Sequence, residues 1–138
     1  MNNFVFENSS KVYFGEGCVK EYLSNILSAY GDTVMLCYGG GSIKKNGIYD
    51  EIITVLKKEN KAVVEFSSIP SNPTYSKVLE GVKLAKESNA DLILAVGGGS
   101  VMDCCKAISL GAKYDGDIWA DFWARPGMID FEPLPLGI

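Results

Sequence analysis

Leu92-Ile93-Leu94-Ala95-Val96-Gly97-Gly98-Gly99-Ser100-Val101-Met102-Asp103 carries an apolar strand directly into three glycines and the start of a helix. An aliphatic run without polar alternation reads as a strand buried on both faces. The glycines then let the chain turn sharply and let a ligand approach bare backbone. Beyond them Met102, Ala107, Ile108 and Leu110 fall at helical spacing, so the unpaired N–H groups and positive dipole end of that helix point back at the turn. Ser100 reads as the N-cap, and Ser100-x-x-Asp103 by itself matches a capping box. A turn that only reversed the chain would need fewer glycines, since each costs roughly 0.5–1 kcal/mol of backbone entropy against alanine. A phosphate cradle accounts for all three.

The same unit occurs earlier: Thr33 to Tyr38 (TVMLCY) is a buried strand that runs into Gly39-Gly40-Gly41-Ser42. Ile48, Ile52, Val55 and Leu56 then mark an amphipathic helix to about Glu59. Between the two units lie a strand at Ala62 to Phe66, a turn-rich link at Ser68 to Thr74 with two prolines, and a helix lined by Val78, Leu79, Val82 and Ala85. Ahead of them, Val19, Tyr22, Leu23, Ile26 and Leu27 share one helical face. Strand and helix alternate steadily, which predicts an α/β fold with a Rossmann-like, doubly wound, mainly parallel sheet. Phe4-Val5-Phe6 and Lys11-Val12-Tyr13-Phe14 predict an N-terminal β-hairpin or two extended edge segments. After Tyr114, the segment with Trp119, Phe122 and Trp123 reads as irregular cover over the core, and Pro133 to Ile138 begins another apolar run.

Composition narrows the function. The chain has 138 residues, enough for one domain over 1–138, and a net charge of −4. That charge, without basic clusters, argues against nucleic acid and anionic membrane surfaces. No apolar stretch nears the roughly 18 residues of a spanning helix, and no signal peptide layout is present, so a cytoplasmic protein is expected. Cys18, Cys37, Cys104 and Cys105 show no CxxC spacing and read as reduced, packed thiols. Histidine is absent, which removes the usual general base and the commonest metal ligand. No residue is assigned a catalytic or metal-binding role.

Neither glycine run fits G-x-G-x-x-G, and no glycine-lysine pair exists for a P-loop. In dinucleotide sites an acidic residue after a strand holds the adenosine ribose 2′-hydroxyl. Here Gly39 follows Tyr38 directly and the next carboxylate is Asp50. Ser42, the amides of Gly40 and Gly41, and Lys44 or Lys45 are suited instead to a 2′-phosphate, which favours NADP over NAD. Asp103 either orients a ribose hydroxyl or closes the capping box. Asn72, before Pro73 at the end of a strand, faces the ligand side or serves only as a turn former.

Four motifs together resemble one family: CYGGGSIKKNGIYDEI from Cys37, SIPSNPTY from Ser68, LAVGGGSVMDCCKAI from Leu94 and LPLGI from Leu134. The chain resembles the N-terminal domain of iron-containing alcohol dehydrogenases, in the NADPH-dependent butanol dehydrogenase and aldehyde reductase branch. The resemblance implies cofactor contacts at Gly39, Gly40, Ser42, Gly97, Gly98, Gly99, Ser100 and Asp103, with Asn72 and Pro73 as weaker matches. It also implies a helical domain holding Fe²⁺ or Zn²⁺ on one Asp and three His, which this sequence does not contain. The expectation is an NADP(H)-binding domain, incomplete alone, from an enzyme acting on a small alcohol or aldehyde. A glycerol dehydrogenase or dehydroquinate synthase relative, or a non-catalytic nucleotide-binding or dimerisation module, stays open. A homodimer through the Phe4-Val5-Phe6 edge is expected.

Overall fold

The computed structural model describes residues 8, 10–125 and 129–138. β1 (Thr33–Tyr38) and β3 (Leu92–Val96) are buried along nearly their whole length. Their side chains divide by alternation, with Val34, Leu36, Tyr38, Leu92 and Leu94 in one core and Met35, Cys37, Ile93 and Ala95 in the other. The first core is closed by α1 (Cys18–Leu27) and α3 (Ile48–Lys58) through Leu23, Leu27, Ile52 and Leu56. The second is closed by α4 (Tyr75–Glu87) and α5 (Gly99–Ala112) through Val78, Ala85, Val101, Cys104, Cys105 and Ile108. With β2 (Ala62–Phe66) and a two-residue β4 (Leu136–Gly137), the sheet order is β2-β1-β3-β4 and every pair is parallel. This is the expected doubly wound α/β sheet.

Two details lock the second core. A Cβ on Gly81 would come within 2.3 Å of Ile108 Cδ1 and 2.9 Å of Cγ1, so α4 and α5 pack closely across this glycine. Ser109, a buried polar residue of α5, donates to the Leu134 carbonyl at 2.5 Å while Leu134 N–H donates back to the Ser109 carbonyl at 3.0 Å. That reciprocal pair delivers the chain to β4, where Ile93 N–H bonds the Pro135 carbonyl.

At three places the structure departs from the expectations, adds to them or does not reach them. Phe4-Val5-Phe6 lies outside the described residues, and Lys11 to Phe14 joins no strand, leaving Val12 and Phe14 exposed. Tyr13 instead packs its ring, tilted by 34°, against Tyr22 of α1 with centroids 4.8 Å apart. After the first glycine turn the chain forms a separate short helix, α2 (Ser42–Lys45), before α3, because Gly47 takes a left-handed φ of 81° that breaks the two apart. The aromatic segment is a π-helical turn, Trp119–Trp123, whose first N–H groups are held by the Asp117 carboxylate.

Candidate functional site

β1 and β3 are neighbours, and Tyr38 pairs in register with Val96. Gly39 and Gly97 are therefore the next residues on adjacent strands, roughly 5 Å apart laterally. From there the chain departs in opposite directions, β1 toward β2 and β3 toward β4. A doubly wound sheet opens its crevice at this switch point, beyond the carboxyl ends of the strands. Both glycine turns face it.

The six glycines divide into two jobs. A Cβ on Gly97 would come within 2.7 Å of Val101 Cγ2, and one on Gly39 within 3.2 Å of the Ile69 carbonyl and 3.6 Å of Val101 Cγ2. These two allow close packing of strand ends, α5 and the segment after β2. Around Gly40, Gly41, Gly98 and Gly99 a Cβ would meet nothing within 4 Å. Those four expose backbone to open space. The N–H groups of Gly99 and Ser100 have no acceptor among the described residues, because the first bonds of α5 are Val101 and Met102 N–H to the Gly98 carbonyl. Ser42 and Ile43 N–H are likewise without acceptors there, as Lys44 and Lys45 N–H take the Gly41 carbonyl. Two sets of donors without acceptors among the described residues thus follow the ends of neighbouring strands, an arrangement suited to a ligand with phosphates at two points.

The link after β2 forms the third wall. Ser68 and Ile69 N–H bond the Gly39 and Tyr38 carbonyls, so the link starts as a continuation of the β1 edge. It then crosses to α5, where Asn72 N–H donates to Ser100 Oγ at 3.4 Å. Asn72 adopts a left-handed φ of 55° ahead of Pro73, and Thr74 caps α4 by accepting from Lys77 N–H. Gly39, Asn72 and Ser100, distant in sequence, are brought together.

The capping roles expected of Ser100 and Asp103 are corrected. Gly98 is the N-cap, extended at φ −84° and ψ −172°, and α5 already begins at Gly99. Ser100 is thereby the second helical residue and its hydroxyl turns to Asn72. Asp103, 72% exposed, pairs with Lys106 at 3.5 Å. It also lines a cleft of about 190 Å³ with Pro73, Tyr75, Cys104, Trp119 and Trp123 among its walls. Trp119 and Trp123 are half exposed, so they wall that cleft as much as they cover core.

Beside the β1 turn stands a cluster that the sequence reading missed. The Lys44 ammonium lies 5.3 Å from the Tyr38 ring centre and 4.5 Å from that of Tyr49. Both tyrosine hydroxyls donate to the Glu65 carboxylate, Tyr49 at 2.6 Å. Those bonds, from Tyr38 first and then Tyr49, hold the Glu65 carboxyl below its ordinary range, and the same carboxylate pushes the Tyr49 phenol up to about 12. Tyr38 in turn raises the Lys44 ammonium. The one signal available beforehand was a glutamate inside an otherwise apolar strand.

The sequence holds no histidine, and among the described residues no group of three His, Cys, Asp or Glu is placed to hold an ion. The cysteines are free, with Cys37, Cys104 and Cys105 buried. Burial pushes the Cys104 thiol up to about 11, and a hydrogen bond with Cys105 raises that of Cys37, so neither is a ready thiolate.

Comparison with known proteins matches this arrangement to one family. The family model of iron-containing alcohol dehydrogenases matches residues 9–137. A probable NADH-dependent butanol dehydrogenase 1 of Bacillus subtilis is 52% identical over 119 residues, covering 86% of this chain and 30% of that protein. The NADPH-dependent aldehyde reductase YqhD of Escherichia coli is 38% identical, covering 86% of this chain and 30% of its own length. The crystal structure of NADH-dependent butanol dehydrogenase A from Thermotoga maritima superposes with a TM-score of 0.86 at 42% identity, over 99% of this chain and 34% of that one. The chain thus spans about a third of the length of the relatives it matches. With the doubly wound sheet and both glycine turns in place, the chain belongs to the iron-containing alcohol dehydrogenase family.

Proposed function

We propose that this chain is the dinucleotide-binding part of an alcohol dehydrogenase that interconverts alcohols with aldehydes or ketones, with NADP(H) as its coenzyme. The observation that carries the reading is the in-register pairing of two open glycine turns at the switch point. Gly98, Gly99 and Ser100 grip the diphosphate through bare backbone and free N–H groups, Gly97 giving the turn its tight packing. Gly40, Gly41 and Ser42 take the adenosine end, with Gly39 packed beneath the link that carries Asn72 and Pro73. Asp103, exposed beside the cleft, accepts a hydrogen bond from a ribose hydroxyl. When bound, the nicotinamide supplies the hydride.

The absence of a carboxylate between Tyr38 and Asp50 supports NADP(H), while the names of the relatives divide between NADH and NADPH. An Fe²⁺ or Zn²⁺ is expected of the family, yet the described residues offer it no ligand set, so activation of the substrate oxygen is assigned to nothing in this chain. A homodimer in the cytoplasm completes the proposal. No helix among the described residues is long and apolar enough to cross a membrane.

The test is calorimetric titration of the 138-residue chain with NADPH and NADH. Saturable binding, tighter for NADPH, is expected, without alcohol oxidation by the chain alone. Neither heat of binding nor thermal protection with either coenzyme would point instead to a non-catalytic module.

A further inference from the structure

We infer that Lys44 is the cation that recognises a phosphate on the 2′ position of the adenosine ribose, and that Glu65 positions it through the hydroxyls of Tyr38 and Tyr49. The inference rests on the dinucleotide reading of the two glycine turns. It adds a specificity-determining side chain and a positioning residue at the adenosine end.

A lysine side chain has four rotatable bonds, and an exposed ammonium ordinarily stays mobile in water. Lys44 is exposed, yet its ammonium sits over two aromatic faces. One of those rings belongs to Tyr38, the residue immediately before Gly39, so the charge is held at the end of β1 beside the turn. The rings are themselves fixed. Tyr38 is 4% exposed, and Glu65, on β2 opposite Leu36 in register, receives both hydroxyls. A carboxylate placed this way serves the lysine without neutralising it. Its oxygens are occupied by phenol hydrogens, and no ion pair joins Lys44 to Glu65 among the described residues. An ammonium pre-placed on aromatic faces, on an exposed side chain, is arranged to meet a further anion. Lys45, next along, makes no ring or ion-pair contact among the described residues, and no such fixing applies to it.

The experiment measures affinity of the full chain for adenosine 2′,5′-bisphosphate, for adenosine 5′-monophosphate and for inorganic phosphate alone. The wild-type chain is expected to prefer the bisphosphate to the monophosphate and to bind free phosphate weakly. Lys44→Met is expected to lower affinity for the bisphosphate on the order of tenfold to a hundredfold, the range for one charge-assisted contact, and to leave the monophosphate unchanged. Lys44→Arg should recover most of the loss. Glu65→Gln, which keeps shape, is expected to weaken the bisphosphate by about threefold to tenfold in the wild type and not at all when Lys44 is already Met. Equal losses for both nucleotides in Lys44→Met, or no loss, would overturn the assignment of Lys44. An undiminished effect of Glu65→Gln in the Lys44→Met background would overturn the positioning role. A wild-type chain that binds neither nucleotide would overturn the dinucleotide reading as well, which distinguishes the two failures.

Discussion

Replacing Gly98 and Gly99 together by alanine separates fold from ligand, because the protein leaves the space around both residues empty. A Cβ at either position meets nothing within 4 Å, and Gly98 lies at φ −84°, ψ −172°, an extended conformation open to alanine. Lost flexibility in the unfolded chain and better helix propensity at Gly99 each favour the variant by about 0.5–1 kcal/mol. Alanine is a poorer N-cap than glycine, which offsets part of that gain at Gly98. The net change in stability is expected between about zero and 1 kcal/mol in favour of the variant, or up to roughly 4 °C in Tm.

Binding has the opposite sign. Two methyl groups enter the volume where a diphosphate must approach the Gly99 and Ser100 N–H groups, and losing one or two charge-assisted bonds at about 1.5–3 kcal/mol each weakens binding at least tenfold. Gly97→Ala is the internal control. Its Cβ would stand 2.7 Å from Val101 Cγ2 and 3.1 Å from Val101 Cβ, the latter an atom that no rotamer change can move. Overpacking of that kind costs about 1–3 kcal/mol and shows as a lower Tm before any ligand is added. Thermal melts with and without NADPH give both quantities. A double variant that is as stable as the wild type and still protected equally by NADPH would refute the claim that the open volume belongs to the ligand.

Other substitutions probe the frame around the site. Ser109→Ala removes the donor to the buried Leu134 carbonyl and is expected to cost about 1–3 kcal/mol in chemical denaturation, with the loss felt at β4. Gly81→Ala, with its Cβ 2.3 Å from Ile108 Cδ1 and 2.9 Å from Cγ1, is expected to lower stability by about 1–3 kcal/mol because the fully buried Ile108 side chain must shift or α4 and α5 move apart. In the native chain iodoacetamide at pH 8 is expected to modify half-buried Cys18 and to spare Cys37, Cys104 and Cys105 until urea unfolds the protein, as mass spectrometry would show. Glu65 contributes a pH dependence of definite sign. Its carboxyl is held below the ordinary range in the folded state, so its stabilisation is present above that range and fades as pH falls through the folded value. Glu65→Gln is expected to flatten that acid limb of the Tm-versus-pH curve.

The fold was largely legible because β1 and β3 are buried on both faces, and a strand of that kind carries its signature in composition alone. The two glycine turns were legible for the same reason, since each interrupts an apolar run abruptly. Their adjacency was not. It depends on the first crossover passing to one side of β1 and the second to the other, a long-range choice that no local pattern encodes. Ser100 was misread as a cap because serine is a favoured N-cap and Gly98 carries no side chain to advertise that it takes the position. The division of the glycines into packed and open ones depends on Val101 and Ile69, residues with no polar signal. Lys44 looked like one of two equivalent lysines until Tyr38, Tyr49 and Glu65, spread over 28 positions from Tyr38 to Glu65, were found around it.

Titration of isotope-labelled chain with NADPH, followed by amide chemical shifts, addresses the central claim most directly. The two-turn site predicts saturable shifts concentrated at Gly40 to Ile43 and at Gly98 to Val101, moving together at one affinity. Shifts confined to one turn, centred elsewhere, or absent at saturating coenzyme would contradict it.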